Sequence, residues 1–372
     1  MMEAKLHDCI IIGGGLAGLC LSIQLSKQGY HVLLLEKNAY PFHKVCGEYI
    51  SMESWDYLNR LGIDLASLQV PLIKDLKITS HEGFEVSTAL DMGGFGISRF
   101  DLDHRLASIA KQSGVQLLEN TKVTNVSLEN GVHTVTTNRE EHQGKIVCGS
   151  YGKLTPAFMN QIRSRQSGYI GVKYHVQVPF NKSSIELHNF KDGYCGISMV
   201  GENTCCMCYL TTVDNLKMHG NDVKQMEKEV LMKNPRLAYY FSHAKFLYDK
   251  PLVISQIGFQ KKSCYANDVF LLGDAAGAIA PLCGNGMSMA MRASFLLAKH
   301  IPQYLDQEIT KEVLIQNYTS DWNKHFSTRI KAGYYLQKLF GKRLTTLLAL
   351  KLMKNNPNLL RKIISLTHGE KF

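Results

Sequence analysis

The chain has 372 residues, 45% of them hydrophobic, and a formal charge of +10 from 42 Lys and Arg against 32 Asp and Glu. That length supports one large or two moderate domains with a well-buried core. No uninterrupted apolar run approaches the roughly 20 residues that span a bilayer, and residues 1–8 lack a charged-then-apolar leader, so a cytoplasmic location is expected. The ten cysteines are scattered through the chain without a secretory context, which points to reduced thiols. Cys205, Cys206 and Cys208 fall in a strand-like run whose alternate residues face opposite sides. They suit small buried hydrophobes better than a zinc site, and no metal is expected.

Residues 7–12 read as a compact apolar strand and residues 16–27 as a helix ended by Gly29. A second strand, 31–35, presents Glu36 about twenty residues after the glycines. Between them stands Gly13-Gly14-Gly15-Leu16-Ala17-Gly18, which completes a βαβ dinucleotide fingerprint. Gly13 suits the tight turn, Gly15 the approach of backbone to a pyrophosphate, and Gly18 the packing of helix on strand. The helix N-terminus offers the phosphates its unpaired N–H groups and positive dipole end. Glu36 can accept from both hydroxyls of a ribose, which selects a ligand without a 2′-phosphate.

Helices are expected over 52–61 and over 101–112, the latter capped by Asp101, with strands at 115–118 and 123–128. Strands 76–80 and 84–88, turning at Gly83, form an excursion between the two helices. From 169 to 257 the periodicity is mostly that of strands (170–178, 184–189, 196–200, 204–211 and 252–256), interrupted by one helix, 222–232. The expected fold class is α/β: a Rossmann-like, parallel-sheet nucleotide domain (1–75, 97–166 and 258–300) with an inserted antiparallel sheet (76–96 and 167–257). Such an insert usually carries a substrate pocket on one face. A helical basic region, 301–372, follows. From Asn323 to Phe372 eight Lys and three Arg face one Glu, 11 minus 1, which is the entire excess of +10. The charges alternate with Leu336, Leu339, Phe340, Leu344, Leu347, Leu348, Leu350, Leu352 and Met353, a pattern of a membrane-surface helix and not of a nucleic-acid module; a basic helix packed on the protein is the other reading.

A second glycine element lies far downstream. Strand-like residues 269–272 run into Gly273-Asp274-Ala275-Ala276-Gly277, then Pro281 and Gly284-Asn285-Gly286-Met287, which open a helix. With both elements in place, the chain resembles the aromatic hydroxylase and geranylgeranyl reductase superfamily of FAD-dependent oxidoreductases over residues 7–300. Pro41-Phe42-His43-Lys44-Val45-Cys46-Gly47 is similar to the Pro-x-x-K-x-Cys-Gly segment of the reductase branch. The resemblance implies FAD held by Gly13, Gly15, Leu16, Ala17, Gly18, Glu36, Lys37, Cys46, Gly47, Arg99, Val123, Asp274, Gly286 and Met287. In that setting Arg99 reaches the ribityl-pyrophosphate region, Val123 packs by the adenine, Asp274 accepts from ribityl hydroxyls, and the helix at Gly286 and Met287 steadies negative charge on the reduced ring. Cys46 lies beside the ring, as a catalytic thiol or as a packed one. Pro281 lines the ring's substrate side and Tyr194 the substrate pocket.

Departures from the family narrow the chemistry. Hydroxylases that use NADPH carry Gly-Ala-Asp-Gly-x-x-Ser, whereas this chain reads Gly149-Ser150-Tyr151-Gly152-Lys153-Leu154-Thr155. NAD(P)H is therefore only a candidate reductant. The reductase segment Tyr-x-Trp-x-Phe-Pro is reduced here to Tyr194-Cys195-Gly196-Ile197-Ser198-Met199, and the only tryptophans, Trp55 and Trp322, make no halogenase Trp-x-Trp-x-Ile-Pro. The resemblance implies hydride transfer through flavin N5 to or from a hydrophobic isoprenoid or polyketide-derived lipid. The alternatives are a monooxygenase and a flavin electron-transfer protein without a substrate of its own.

Overall fold

The protein is described by a computed structural model over residues 6–159, 168–258 and 262–372. In chain order, β1 (Leu6–Ile12), α1 (Leu16–Lys27) and β2 (Val32–Leu35) form the first βαβ turn, followed by β3 (Tyr49–Ser51) and α2 (Trp55–Leu61). Next come β4 (Leu72–Thr79), β5 (Glu85–Gly96), α3 (Arg99–Gln112), β6 (Gln116–Leu118), β7 (Val123–Glu129), β8 (Val132–Thr137) and β9 (Glu141–Gly149). The insert holds β10 (Tyr169–Gln177), β11 (Ser184–Phe190), β12 (Gly193–Met199), β13 (Cys205–Thr212), α4 (Val213–Met218), α5 (Val223–Glu229), α6 (Pro235–His243), β14 (Lys245–Phe246) and β15 (Leu252–Ile257). The chain then adds β16 (Tyr265–Ala266), β17 (Val269–Leu271), α7 (Gly286–Leu305), α8 (Lys311–Leu339), α9 (Arg343–Asn355) and α10 (Pro357–Ser365).

The nucleotide sheet is parallel at its centre, in the order β17-β9-β1-β2-β6, with β16 antiparallel at one edge and the β7–β8 ribbon paired to β9. Its strands are covered on both faces, which is why Cys9, Ile10 and Ile11 read as an unbroken apolar run and are fully buried. The first turn follows from its residues: Gly13 adopts φ +104, open to glycine, and α1 starts directly behind it. Helix α3 begins two residues before the expected Asp101. Ser98 is its cap, its hydroxyl accepting from the Phe100 N–H at 3.1 Å, while Asp101 sits in the first turn and favours the dipole.

The second sheet runs β14-β10-β13-β12-β11-β4-β5-β3, with β15 also on β10. It differs from the expected antiparallel insert in two ways. It begins at Tyr49, well before residue 76, and β4 pairs with β11 in parallel, Ser184 opposite Asp75. A parallel pair needs a long crossover, and here the crossover is the whole run of nucleotide-domain elements between β5 and β10. The single helix expected at 222–232 is replaced by α4, α5 and α6, because Asn234 starts a new helix with Pro235 in its first turn.

The basic C-terminal region is helical, and its apolar residues divide. Phe340, Leu350, Met353 and Leu360 are buried against Leu76, Ile78, Val86, Tyr194 and Leu210 of the second sheet. Leu344, Leu348 and Leu352 remain 72%, 64% and 58% exposed. The chain then returns to the nucleotide domain: Asn285 Nδ2 donates to the Thr367 carbonyl at 2.7 Å, and the Phe372 ring packs 5.0 Å from that of Tyr57. Among the described residues no helix is long and apolar enough to cross a membrane.

Candidate active site

The two glycine elements and the insert sheet enclose one continuous cavity of about 860 Å³. At its nucleotide end the glycines fall into two groups. A Cβ on Gly13 would lie 2.5 Å from the Ser150 carbonyl oxygen, and one on Gly18 would lie 2.1 Å from that of Gly13. These two glycines are required by the protein's own packing. A Cβ on Gly15 would meet only Ser150 O, at 3.9 Å, and one on Gly47 would meet nothing within 4 Å. Those two face the cavity, where a pyrophosphate and a ring need close backbone approach. The cradle therefore fits FAD.

Glu36 ends β2 with its carboxylate already fixed: Oε2 accepts from the Gly14 N–H at 2.7 Å and Oε1 from the Asn38 N–H at 3.0 Å. It lines the cavity beside Leu16, Ala17 and the exposed Lys37, while Val123 opens β7 on the same wall. Gly14 has a role not visible from the fingerprint, since the Tyr40 hydroxyl donates to its carbonyl at 2.5 Å and would overlap any Cβ there.

Arg99 lines the cavity from the first turn of α3, and its guanidinium is held by an ion pair. Nε and Nη2 donate to the two oxygens of Asp103 at 2.7 and 2.8 Å, and Lys44 Nζ lies 2.9 Å from the same carboxylate. Asp103 is 1% exposed. Burial opposes its charge, but Arg99 and Lys44 outweigh that and hold its carboxyl below the ordinary range. Two cations on one anion leave one net positive charge on this wall, suited to a diphosphate.

Asp274 stands half-buried in the turn after β17, and Gly286 and Met287 open α7; all three line the cavity, as does Pro281. Cys46 is half-buried on the wall, and its carbonyl accepts from the Cys206 thiol at 3.2 Å. Tyr194 lies on the wall from β12, 3% exposed. Burial pushes its phenol well above the ordinary range, and its hydroxyl has no well-formed hydrogen bond among the described residues. Tyr151, at the acid's place in the hydroxylase motif, also lines the cavity, with its hydroxyl buried and unpaired among the described residues.

Directly behind Cys46 and Gly47 lies a polar cluster that sequence reading missed. Glu48 is fully buried with φ +57; Oε1 accepts from Lys173 Nζ at 2.5 Å and from the Arg99 N–H at 2.7 Å, and Oε2 pairs with His175 Nε2 at 2.6 Å. Lys173 and His175 are two apart on β10 and so share a face; that spacing within an apolar strand was the available signal. Their partners come from segments more than a hundred residues away, which no local pattern reports. Donor atoms of Glu48, His175 and Cys206 lie within 4.8 Å of one another. The Lys173 ammonium on Glu48 already supplies the cation there and would repel a metal ion.

Residues 7–151 match the FAD binding domain family. The chain is 24% identical to conditioned medium factor receptor 1 of Dictyostelium discoideum, over 87% of this chain and 69% of that one. It is 23% identical to digeranylgeranylglycerophospholipid reductase of Methanococcus vannielii, over 95% and 97% of the two chains. Among solved structures, the flavin-dependent brominase Bmp2 superposes with a TM-score of 0.78 at 18% identity, covering 98% of this chain and 93% of that one. PqsL of Pseudomonas aeruginosa, in complex with 2-aminobenzoylacetate, superposes with a TM-score of 0.75 at 15% identity, covering 92% and 98%. At these identities the structural likeness is one of fold. Cradle, fold and family match together define an FAD-dependent enzyme. More particularly, the FAD binding domain match and the similarity to a digeranylgeranylglycerophospholipid reductase fit the superfamily of FAD-dependent oxidoreductases and monooxygenases.

Proposed function

We propose that this protein transfers hydride through flavin N5 to or from a long apolar substrate, an isoprenoid or polyketide-derived lipid. The observation that carries the reading is the far half of the cavity. Leu76, Ile78, Ile185 and Leu187 of the second sheet face Phe340 and Met353 of the C-terminal helices across it. Tyr194, Thr367 and His368 are among the few polar side chains at that end. An annex of this kind binds by burying hydrocarbon, at roughly 25 cal/mol per Å² of apolar surface.

Bound FAD would supply the two-electron chemistry. The chain's residues would supply the rest: the Gly13 to Gly18 turn and α1 would hold the diphosphate, Glu36 the ribose, Arg99 would offer a fixed positive charge, and Asp274 with the start of α7 would hold the ring end. Sheet and helices exclude water from the reacting end and orient the substrate. The similarity to an archaeal reductase of digeranylgeranyl lipids supports the same substrate class. NAD(P)H is retained as a candidate electron donor.

The roof of the annex also suggests where the substrate comes from. On α9, Leu344, Leu348 and Leu352 repeat every four residues on the exposed side, among Lys342, Arg343, Lys351 and Lys354. In this reading the roof rests on the anionic inner face of a membrane and admits lipid from it, the protein being otherwise cytoplasmic. The test is anaerobic incubation of FAD-loaded protein with a chemical reductant and polyprenyl lipids. A product gaining two hydrogens supports the proposal. A product gaining one oxygen atom, formed only after oxygen is admitted, would replace it with a monooxygenase, and no turnover of any lipid would leave an electron-transfer protein.

A further inference from the structure

The cluster behind Cys46 and Gly47 extends from the cavity wall toward the surface. Glu48 lies on the wall, fully buried. From its Oε2 the path runs to His175 Nε2 at 2.6 Å, from His175 Nδ1 to the Tyr248 hydroxyl at 2.7 Å, and from that hydroxyl to His43 Nδ1 at 3.1 Å. Tyr248 and His43 are both partly exposed, and the His43 ring stacks on Phe100 with centroids 4.5 Å apart. Every link is within hydrogen-bonding distance.

We propose that Glu48, His175, Tyr248 and His43 form a proton relay between solvent and the flavin-facing wall of the cavity, with Lys173 as its fixed counter-charge. The proposal rests on the flavin chemistry of the site and not on the identity of the substrate. Redox turnover changes the charge in the cavity, and a proton delivered to its buried wall at Glu48 crosses the protein to get there. The direction of the relay follows from Glu48. An ionised carboxylate only accepts, so His175 must carry its proton on Nε2. Its Nδ1 then accepts from the Tyr248 hydroxyl, whose oxygen accepts from His43 Nδ1–H. All donors point the same way. One inward step moves a proton from hydronium or a buffer acid in solvent onto His43 Nε2, the His43 Nδ1 proton to Tyr248, the Tyr248 proton to His175 Nδ1, and the His175 Nε2 proton to Glu48. One proton enters, Glu48 changes from −1 to neutral, and no electrons move. Passing that proton on into the cavity restores the carboxylate.

The charged and titratable groups facing Glu48 agree with this. Lys173 and His175 come from β10, Cys206 from β13, Arg99 from α3, and Cys46 from its own segment. Burial opposes the Glu48 charge, but His175 and Lys173 outweigh it and keep the carboxyl below its ordinary range. Burial and the Lys173 ammonium lower the His43 imidazole against the opposing pull of Glu48, which favours a neutral ring able to pass a proton rather than hold one. A pair serving structure alone would need Lys173 and Glu48 but no hydroxyl and imidazole leading outward. The left-handed backbone at Glu48 is strain of the kind retained at functional positions.

The test is Tyr248→Phe, which keeps the ring between His175 and His43 and removes one link. In FAD-loaded protein, reduction by dithionite and reoxidation should slow by about tenfold, and added imidazole, a diffusible proton carrier, should restore the rate. FAD affinity and melting temperature should be unchanged. In protein free of cofactor, nitrogen NMR should show His175 protonated on Nε2. Unchanged flavin kinetics in the variant, slowing that imidazole does not rescue, or His175 protonated on Nδ1 would each overturn the relay. Because none of these readouts uses a lipid, failure of the lipid proposal would be seen separately.

Discussion

Asp103→Asn keeps the shape of the side chain and removes the anion that Arg99 and Lys44 share. Asp103 is 1% exposed, whereas the Arg99 and Lys44 side chains are 11% and 24% exposed. Breaking a buried pair from one side costs about 3 to 5 kcal/mol. Lys44 can turn partly to water, so the lower end, about 3 kcal/mol at pH 7, is expected. The pH dependence has a definite sign. The carboxyl's folded pKa lies below its ordinary 3.8, so its stabilisation is present above 3.8 and is lost as pH falls through the lower folded value. Urea unfolding of the cofactor-free protein should therefore show a large gap between wild type and variant at pH 7 that closes in strong acid. FAD affinity should fall as well, since Arg99 loses the partner that aims it. A gap below about 1 kcal/mol at pH 7, or one unaltered in acid, would refute the argument.

Gly15→Ala and Gly18→Ala should separate cofactor binding from folding. The first should abolish FAD uptake, read by flavin fluorescence, with little change in apoprotein melting; the second should cost about 1 to 3 kcal/mol, because its Cβ meets backbone. Glu227, 6% exposed and bonded to the hydroxyls of Tyr174 and Tyr209 at 2.9 and 2.8 Å, is raised by burial from 4.5 to about 7. Its folded pKa is the higher one, so stability is full below 4.5 and falls by about 3 kcal/mol as pH rises through 7; Glu227→Gln should remove that fall in denaturation curves taken across this range. Changing Leu344, Leu348 and Leu352 together to Ser should weaken sedimentation with anionic vesicles and leave melting unchanged, since all three are exposed.

The nucleotide half was legible because its signals are local. The glycine turn, Glu36 and the Asp274 turn each lie within a few residues of the strand end that places them, and the structure brings Gly13, Gly15, Glu36 and Asp274 to one cavity while Gly18 packs helix on strand. The Glu48 cluster was not legible, since its members sit at 43, 48, 173, 175 and 248 and meet only when the second sheet packs behind the first wall. The parallel β4–β11 pair was missed for a similar reason: periodicity reports which residues are strand but not which strands are neighbours. In α9 leucines occupy both faces, so the sequence pattern alone did not divide the buried roof, Leu350 and Met353, from the exposed stripe.

The pairing of β4 with β11 has a consequence for how such a protein can change. The sheet that walls the annex is supplied by two stretches of chain separated by nucleotide-domain elements, and their seam is a row of backbone hydrogen bonds in fixed register. Neither stretch can be exchanged with a relative's without the other, so recombination at one crossover point would mismatch the seam. New substrates are then reached chiefly by point substitution on the inward-facing side chains, or by alteration of the C-terminal roof, which forms no strand of that sheet and can vary without disturbing its register.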